Sequence, residues 1–357
     1  VGAGVIRHDR SQDLYTTLAT DPRYEAVGKM LSNTQVRGSG TLIHPRWVLT
    51  AAHVGYVPGD IRTFMLDDGQ SRPVTSIRNH TNWVSGQSQD GWDLSLHKLG
   101  SPLSGVALPA IYSGSSELGK TATSVGYGTG GDGETGANPF NFPPGTKRAG
   151  TNVLDQAGHT NGTGQSQIIF SSNLLFTDFD RPGSPAHSIL GSPNTTDLEY
   201  MIAGRDSGGG VFIEENNQTF LAAVPSLGLS FDPGGDNGIS KDYGDLSAST
   251  RIGVAQTMDW IEDILPTLGD LNDNGTIDSS DIDLFVIALT KANDESAFLS
   301  QVGVNQRFYA ADLTLDGLVD NLDISPMVDL LEQNGFSPHQ LNAQITALPE
   351  PAGGAVL

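Results

Sequence analysis

One serine, Ser207, stands in the stretch "MIAGRDSGGGVF" (Met201–Phe212), directly after Asp206 and ahead of three glycines. Glycine permits close approach and positive φ, so such a run marks a sharp turn or a place where something must come near the backbone. A serine hydroxyl is a weak nucleophile at neutral pH. It reacts when a base removes its proton, and the base in turn needs an orienting group. Histidine is the best-suited base and a buried carboxylate the best-suited orienter.

Of the eight histidines, His53 ends an apolar segment, "RWVLTAAH", in which Ala51 and Ala52 are small enough for tight approach. Asp93 opens "DLSLHKL" after "DGW". An aspartate that enters a buried strand is costly unless it accepts hydrogen bonds. Taken singly, each has an ordinary explanation: a hydrogen-bonded strand-end histidine and a turn aspartate at a strand edge. Their value lies in occurring together with Ser207, in the order His, Asp, Ser.

These residues need a scaffold. From about Gly38 to Ile264, short apolar segments such as "TLIHPRWVLTAA", "TATSVGYG", "GGGVFIE" and "TFLAAVPSLGLS" alternate with Gly, Pro, Asn and Ser. That spacing predicts an all-β region. The insert Gly128–Gly150 reads as a Gly- and Pro-rich surface loop. In "VAQTMDWIEDILPTL", Val254, Met258, Ile261 and Leu265 share one helical face, and Pro266 stops it.

The whole chain has 357 residues, more than one core usually serves. With 44 glycines, 19 prolines and 37% hydrophobic residues, it is loop-rich and β-leaning. There is no cysteine, which excludes disulfides and thiolate metal sites. The net charge of −22 argues against a nucleic-acid partner, which requires a basic footprint. No apolar run approaches the ~20 residues that span a bilayer. No signal peptide opens the chain, and "VGAGVIRHD" fits what remains after one is removed.

The segments "TLIHPRWVLTAAH", "DGWDLSLHKL" and "GRDSGGGVF" together resemble the three signature segments of the chymotrypsin/trypsin-like serine peptidases, in the same order. The resemblance spans about Gly38 to Leu265. It implies two six-stranded antiparallel β-barrels with a C-terminal helix, and a cleft between the barrels. It implies a catalytic triad of His53, Asp93 and Ser207. It also implies an oxyanion hole built from the N–H groups of Arg205 and Ser207, and a peptide or protein substrate. By the same matching, Ser226 lies beside Asp93, and Leu227 and Gly228 form the edge to which substrate adds as a strand. Pro225 makes that edge irregular. Met201 lines the floor of the primary specificity pocket, which favours an apolar or small side chain and disfavours Lys or Arg, while Ser247 leaves room for something polar.

The chain departs from the family at Arg205, where glycine is usual, and at Gly210, where proline is usual. Either Arg205 is accommodated and shapes the cleft, or the oxyanion hole is half-formed. The second case makes the chain a catalytically weak or silent binding protein. Asp206 matches the residue that receives a freed N-terminal amine in zymogen-activated members, and "VGAG" faintly resembles a mature start.

The composition turns acidic after the helix. "DLNDNGTIDSSD" supplies Asp270, Asn272, Asn274, Thr276 (through its carbonyl), Asp278 and Asp281, with Gly275 at the sharp turn. "DLTLDGLVDNLD" supplies Asp312, Thr314, Asp316, Leu318 (carbonyl), Asp320 and Asp323, with Gly317. Positions 1, 3, 5, 7, 9 and 12 are those a Ca²⁺ loop uses. Position 12 is Asp, and the loop is duplicated, which resembles a dockerin type I module. That implies an EF-hand-like α-helical domain, bound Ca²⁺ and a cohesin-like partner, or else a purely stabilising role for the ion. Thr314 is a weaker ligand than Asn272, so the second site is expected to bind less tightly. The expected domains are 1–267, 268–335 and a flexible tail 336–357. The end, "LPEPAGGAVL", resembles the opening of bacterial C-terminal sorting signals, and points to a secreted or cell-surface protein.

Overall fold

The fold is taken from a computed structural model that describes residues 4–55, 58–161, 167–231, 239–303, 306–337 and 339–346. It divides into two compact units, Val1–Ile261 and Glu262–Leu357.

The first unit contains a closed six-stranded barrel with strand order Val27–Ser32, Gln35–His44, Trp47–Thr50, Ser95–Leu99, Ser71–Asn79 and Arg62–Met65. Met30, Leu42, Val48, Leu49, Phe64 and Leu96 are fully buried there. The ladder sets Thr50 opposite Ser95, so the segments carrying His53 and Asp93 leave the barrel side by side.

A second, eight-stranded sheet follows the order Arg148–Val153, Thr121–Gly126, Gly210–Glu215, Gln218–Leu229, Leu246–Arg251, Ile168–Asp178 and Gln156–Asn161, with Ala110–Ile111 added on Gln218–Leu229. This differs from the expected second six-stranded barrel. Among the described residues, no backbone ladder closes the sheet. Its two end strands are nevertheless consecutive in the chain and joined only by Leu154 and Asp155, so the sheet must curl until its ends meet. At the seam, Asn152 Nδ2 donates to Asp178 O at 2.6 Å where the ladder is not made.

Three local expectations need correction. The Gly128–Gly150 insert is not simply a loop: Gly130–Asp132 pairs in parallel with Gly4–Ile6, and Gly136–Ala137 pairs with Gly130–Asp132. The helix is present as Ala255–Ile264, but its buried residues are Thr257, Trp260 and Ile261, while Met258 and Leu265 are half-buried. Trp260 commands the face because it packs its ring against His80, with centroids 5.0 Å apart.

The second unit is helical, with Ser279–Leu289, Glu295–Val302, Ile324–Gln333 and His339–Thr346 around Phe285, Phe298, Phe308, Met327 and Leu331. The last helix corrects the expectation of a flexible tail from residue 336, because Leu341 is fully buried in that core. Residues 347–357, including "LPEPAGGAVL", lie outside the described residues, as do Val1 to Ala3 of "VGAG".

Candidate active site

The barrel strand Trp47–Thr50 delivers His53 at its end, and Asp93 precedes the paired strand Ser95–Leu99. Asp93 is fully buried. Its Oδ1 accepts the His53 backbone N–H at 2.9 Å, and its Oδ2 lies 2.6 Å from His53 Nδ1. Oδ2 also accepts the Ser226 hydroxyl at 2.5 Å. Three hydrogen bonds compensate the desolvation of this carboxylate, and they fix the imidazole ring by two of its residue's own atoms. His44 and His97 lie buried in the same barrel, where desolvation lowers them to about 4 and about 3 and keeps them neutral.

Ser226 lies at a register shift between Pro225 and Leu227, where the strand Gln218–Leu229 bulges against Leu246–Arg251. A bulge re-aims a side chain. Here it sends the Ser226 hydroxyl to Asp93 and leaves its carbonyl facing Ser207, whose Oγ donates to it at 3.4 Å. Ser207 makes no hydrogen bond to His53 in this conformation. Such bonds are often long in substrate-free sites. The two residues nonetheless share neighbours: Ser39 N donates to Ser207 O at 2.9 Å, and a Cβ on Gly208 would strike Thr50 Oγ1 and the Ala51 nitrogen. Gly208 also has φ +87°, so glycine is required there on both counts.

Arg205 adopts φ +81°, the angle expected of the glycine it replaces. Its guanidinium Nη1 donates to Val36 O at 2.6 Å, and its carbonyl accepts the Ser39 hydroxyl at 3.0 Å. The side chain is therefore accommodated. Within the loop, the N–H groups of Asp206, Gly208 and Gly209 donate to Ala203 O (3.1 Å), Pro225 O (2.9 Å) and Asp206 O (3.0 Å). Among the described residues, those of Arg205 and Ser207 have no protein acceptor. The loop thus presents two free amide donors flanking the serine.

Asp206 is almost completely buried beneath the loop, and its carboxylate accepts Gly128 N at 2.8 Å and Ala203 N at 2.9 Å. Burial raises it to about 7 against those two hydrogen bonds and the Arg148 charge. Any pairing of Asp206 with the amine of Val1 falls outside the described residues.

Of the expected specificity residues, Met201 is fully buried in a small core with Val5, Phe179, Ala203 and Tyr243, so its side chain is a packed floor. Gly228 and Ser247 are paired across the sheet, and Ser247 Oγ accepts Ile202 N at 3.2 Å. The structure thus links Gly228 and Ser247 to Ile202, the neighbour of Met201 in the chain. Ser39 was not legible as part of the site. It bonds Ser207, Arg205, Thr50 and Tyr127, and its only sequence signal is its place at the head of "SGTLIH".

In the second unit the two acidic loops are built alike. Asp270 accepts Asn274 N and Gly275 N at 3.1 and 2.8 Å, as Asp312 accepts Asp316 N and Gly317 N at 3.1 and 3.0 Å. Asp278 with Asp281, and Asp320 with Asp323, form capping boxes at the start of the following helical turns. Gly275 and Gly317 have φ +81° and +87°. Among the described residues, no three His, Asp or Glu side chains converge closely enough to hold a metal ion.

The site thus sets a buried carboxylate on the His53 ring, and a half-buried serine on the carbonyl of Ser226, whose hydroxyl the same carboxylate accepts. Residues 20–179, just under half of the chain, match the family model described as Trypsin. Residues 20–179 thus resemble a trypsin-family domain, which supports serine endopeptidase activity. The matched stretch contains His53 and Asp93 and ends before Ser207. No curated protein matches the chain. Among solved structures, it is similar to neuropsin, described as a serine protease expressed in the limbic system of mouse brain. That similarity has 17% identity and a TM-score of 0.47, covering 68% of this chain and 96% of neuropsin.

Proposed function

We propose that the chain hydrolyses peptide bonds through an acyl-enzyme formed on Ser207. His53 takes the Ser207 proton as Oγ attacks the substrate carbonyl, then returns it to the leaving amine. Asp93 holds the tautomer with Nδ1 protonated and stabilises the imidazolium. The N–H groups of Arg205 and Ser207 receive the oxyanion, each donor being worth ~3 kcal/mol of transition-state stabilisation. A second attack, by water, releases the acid product and restores the serine.

The observation that carries this reading is the shared carboxylate. Asp93 binds His53 through two atoms and Ser226 through one, and Ser226 in turn meets Ser207. The silent-binder alternative rests on Arg205, and its φ of +81°, the angle usual for the glycine it replaces, supports the catalytic reading instead. Digestion of an unfolded protein substrate is the test. Wild-type chain yields new N-termini, while Ser207→Ala and His53→Ala do not; equal cleavage by all three would overturn the assignment.

The second unit we read as a Ca²⁺-dependent module on an exported protein, docking to a cohesin-like partner or stabilising its own fold. Asp270, Asp281, Asp312 and Asp323 are all buried, and among the described residues none is paired with a basic side chain. Such charge calls for a cation. Each carboxylate accepts loop N–H groups and still has lone pairs free. By their spacing, Asp270, Asn272, Asn274, Thr276 O, Asp278 and Asp281 would supply the ligands of one ion, and Asp312, Thr314, Asp316, Leu318 O, Asp320 and Asp323 those of the other, the loop side chains drawing together as the ion binds, because among the described residues they do not converge without it. The basis for export, "LPEPAGGAVL", lies outside the described residues.

A further inference from the structure

Gly228 lies two residues beyond Ser226, about 7 Å along the strand from the carbonyl that contacts Ser207. A Cβ on Gly228 would overlap the Nζ of Lys241. The lysine ammonium therefore occupies the space that any larger residue at 228 would fill. Opposite Gly228 stands Ser247, and Ser247 Oγ binds Ile202 N, five residues before the serine. The Lys241 amine thus lies against the paired residues Gly228 and Ser247, which Ser247 ties to Ile202.

Its position is held from behind. Asp245 is fully buried, and its two oxygens accept Phe231 N at 2.6 Å and Lys241 N at 2.7 Å. Lys241 itself has φ +64°. The Asp245 carboxylate is thereby committed to backbone donors, and it acts on the ammonium at a distance, opposing the downward push of burial. Among the described residues, no carboxylate forms an ion pair with Lys241 Nζ. With no anionic partner among the described residues, this half-buried ammonium is a binding group for one.

We propose that Lys241 is a specificity-determining residue, giving the pocket beside Ser207 a preference for an acidic side chain, Glu or Asp, on the substrate residue whose carbonyl is attacked. Ser247 stands opposite as a second polar contact, and Met201 closes the floor. The inference rests on Ser207 being the nucleophile. It departs from the apolar preference that Met201 alone implies, because Lys241 is reached from a loop distant in sequence from Met201.

The test uses the full chain and five peptides differing only at that residue: Glu, Asp, Gln, Leu and Lys. We expect kcat/KM for Glu or Asp to exceed that for Gln by about 10- to 100-fold, the scale of one hydrogen bond between charged groups. In Lys241→Gln the Glu-to-Gln ratio should fall to near one, and in Lys241→Glu the Lys peptide should become the best substrate. The ratio is read within one preparation, so partial misfolding of a variant does not disturb it. Wild-type cleavage with no preference for acid over amide, or a ratio unchanged in Lys241→Gln, overturns the proposal and leaves the peptidase reading intact. Failure to cleave any of the five, with no labelling of Ser207 by a fluorophosphonate, overturns both.

Discussion

The hydroxyl of Ser226 donates to Asp93 Oδ2 at 2.5 Å, while the carbonyl of the same residue accepts the Ser207 hydroxyl at 3.4 Å. One bulged residue thereby joins a carboxylate of the first barrel to the serine of the second sheet. Removing the hydroxyl in Ser226→Ala takes one of three hydrogen bonds from a buried charge, and kcat should fall about tenfold with KM little changed. Asp93→Asn leaves the contacts but favours the wrong imidazole tautomer, so kcat should drop by roughly 10⁴. Steady-state kinetics on a peptide substrate checks both. A Ser226→Ala loss as large as that of Asp93→Asn would mean that the seryl hydroxyl does more than orient the acid.

Arg205 holds a backbone angle that costs an L-residue about 1 kcal/mol or more. Arg205→Gly relieves that strain and removes the tie to Val36 O, while the N–H stays aimed where it is. Activity should remain within about threefold of wild type. A loss near 100-fold, the size of a missing oxyanion donor, would show that the guanidinium tether, and not the loop, sets the amide direction.

Buried acids make the first unit sensitive to pH. Burial, together with neighbouring carboxylates, raises Glu199 to about 8 and Asp155 and Asp180 to about 7; burial also raises Asp178 and takes Asp206 to about 7. In the unfolded chain such groups titrate near 4. Below that value both states are protonated and the stability is fully present. Between about 4 and 8 the unfolded chain releases protons that the folded one retains, so stability declines as pH rises. The buried, neutral His44 and His97 oppose this below about pH 6.5, where the unfolded imidazoles take up protons; the melting temperature should accordingly fall from about pH 6.5 to pH 8, and Glu199→Gln should flatten that fall. A melting temperature that climbs over this range contradicts the burial argument.

Much of the site could be read from the chain, because the three chemical residues sit in short segments whose small and apolar neighbours dictate tight turns and strand ends. The same is true of the acidic loops, where Asp and Gly recur at fixed intervals. What could not be read depends on pairings remote in sequence. The positive φ of Arg205 is imposed by Ser39 and Val36, some 170 residues earlier. Lys241 meets Gly228 where Asp245 holds the backbone N–H groups of Phe231 and Lys241. The helix His339–Thr346 has little apolar content of its own and is held by burying Leu341, so its sequence reads as a tail.

The two acidic loops differ at their third position. Thr314 offers a hydroxyl, which donates to Asp323 Oδ1 at 3.0 Å, whereas Asn272 offers an amide carbonyl, a better cation ligand, whose Oδ1 accepts Asn274 N at 3.1 Å and keeps a second lone pair. Calorimetry with Ca²⁺ should show two unequal sites, the tighter one abolished by Asp281→Ala and the weaker by Asp323→Ala. Two identical sites, or no heat at all, would remove the cation from the account of this unit.

The most direct measurement is mass spectrometry of the intact chain after reaction with a fluorophosphonate, because phosphonylation demands both an activated hydroxyl and working amide donors. The account predicts one label per chain, carried by Ser207, with the rate reduced by several orders of magnitude in His53→Ala. A folded protein that takes no label, or one labelled at Ser207 equally fast without His53, would contradict it.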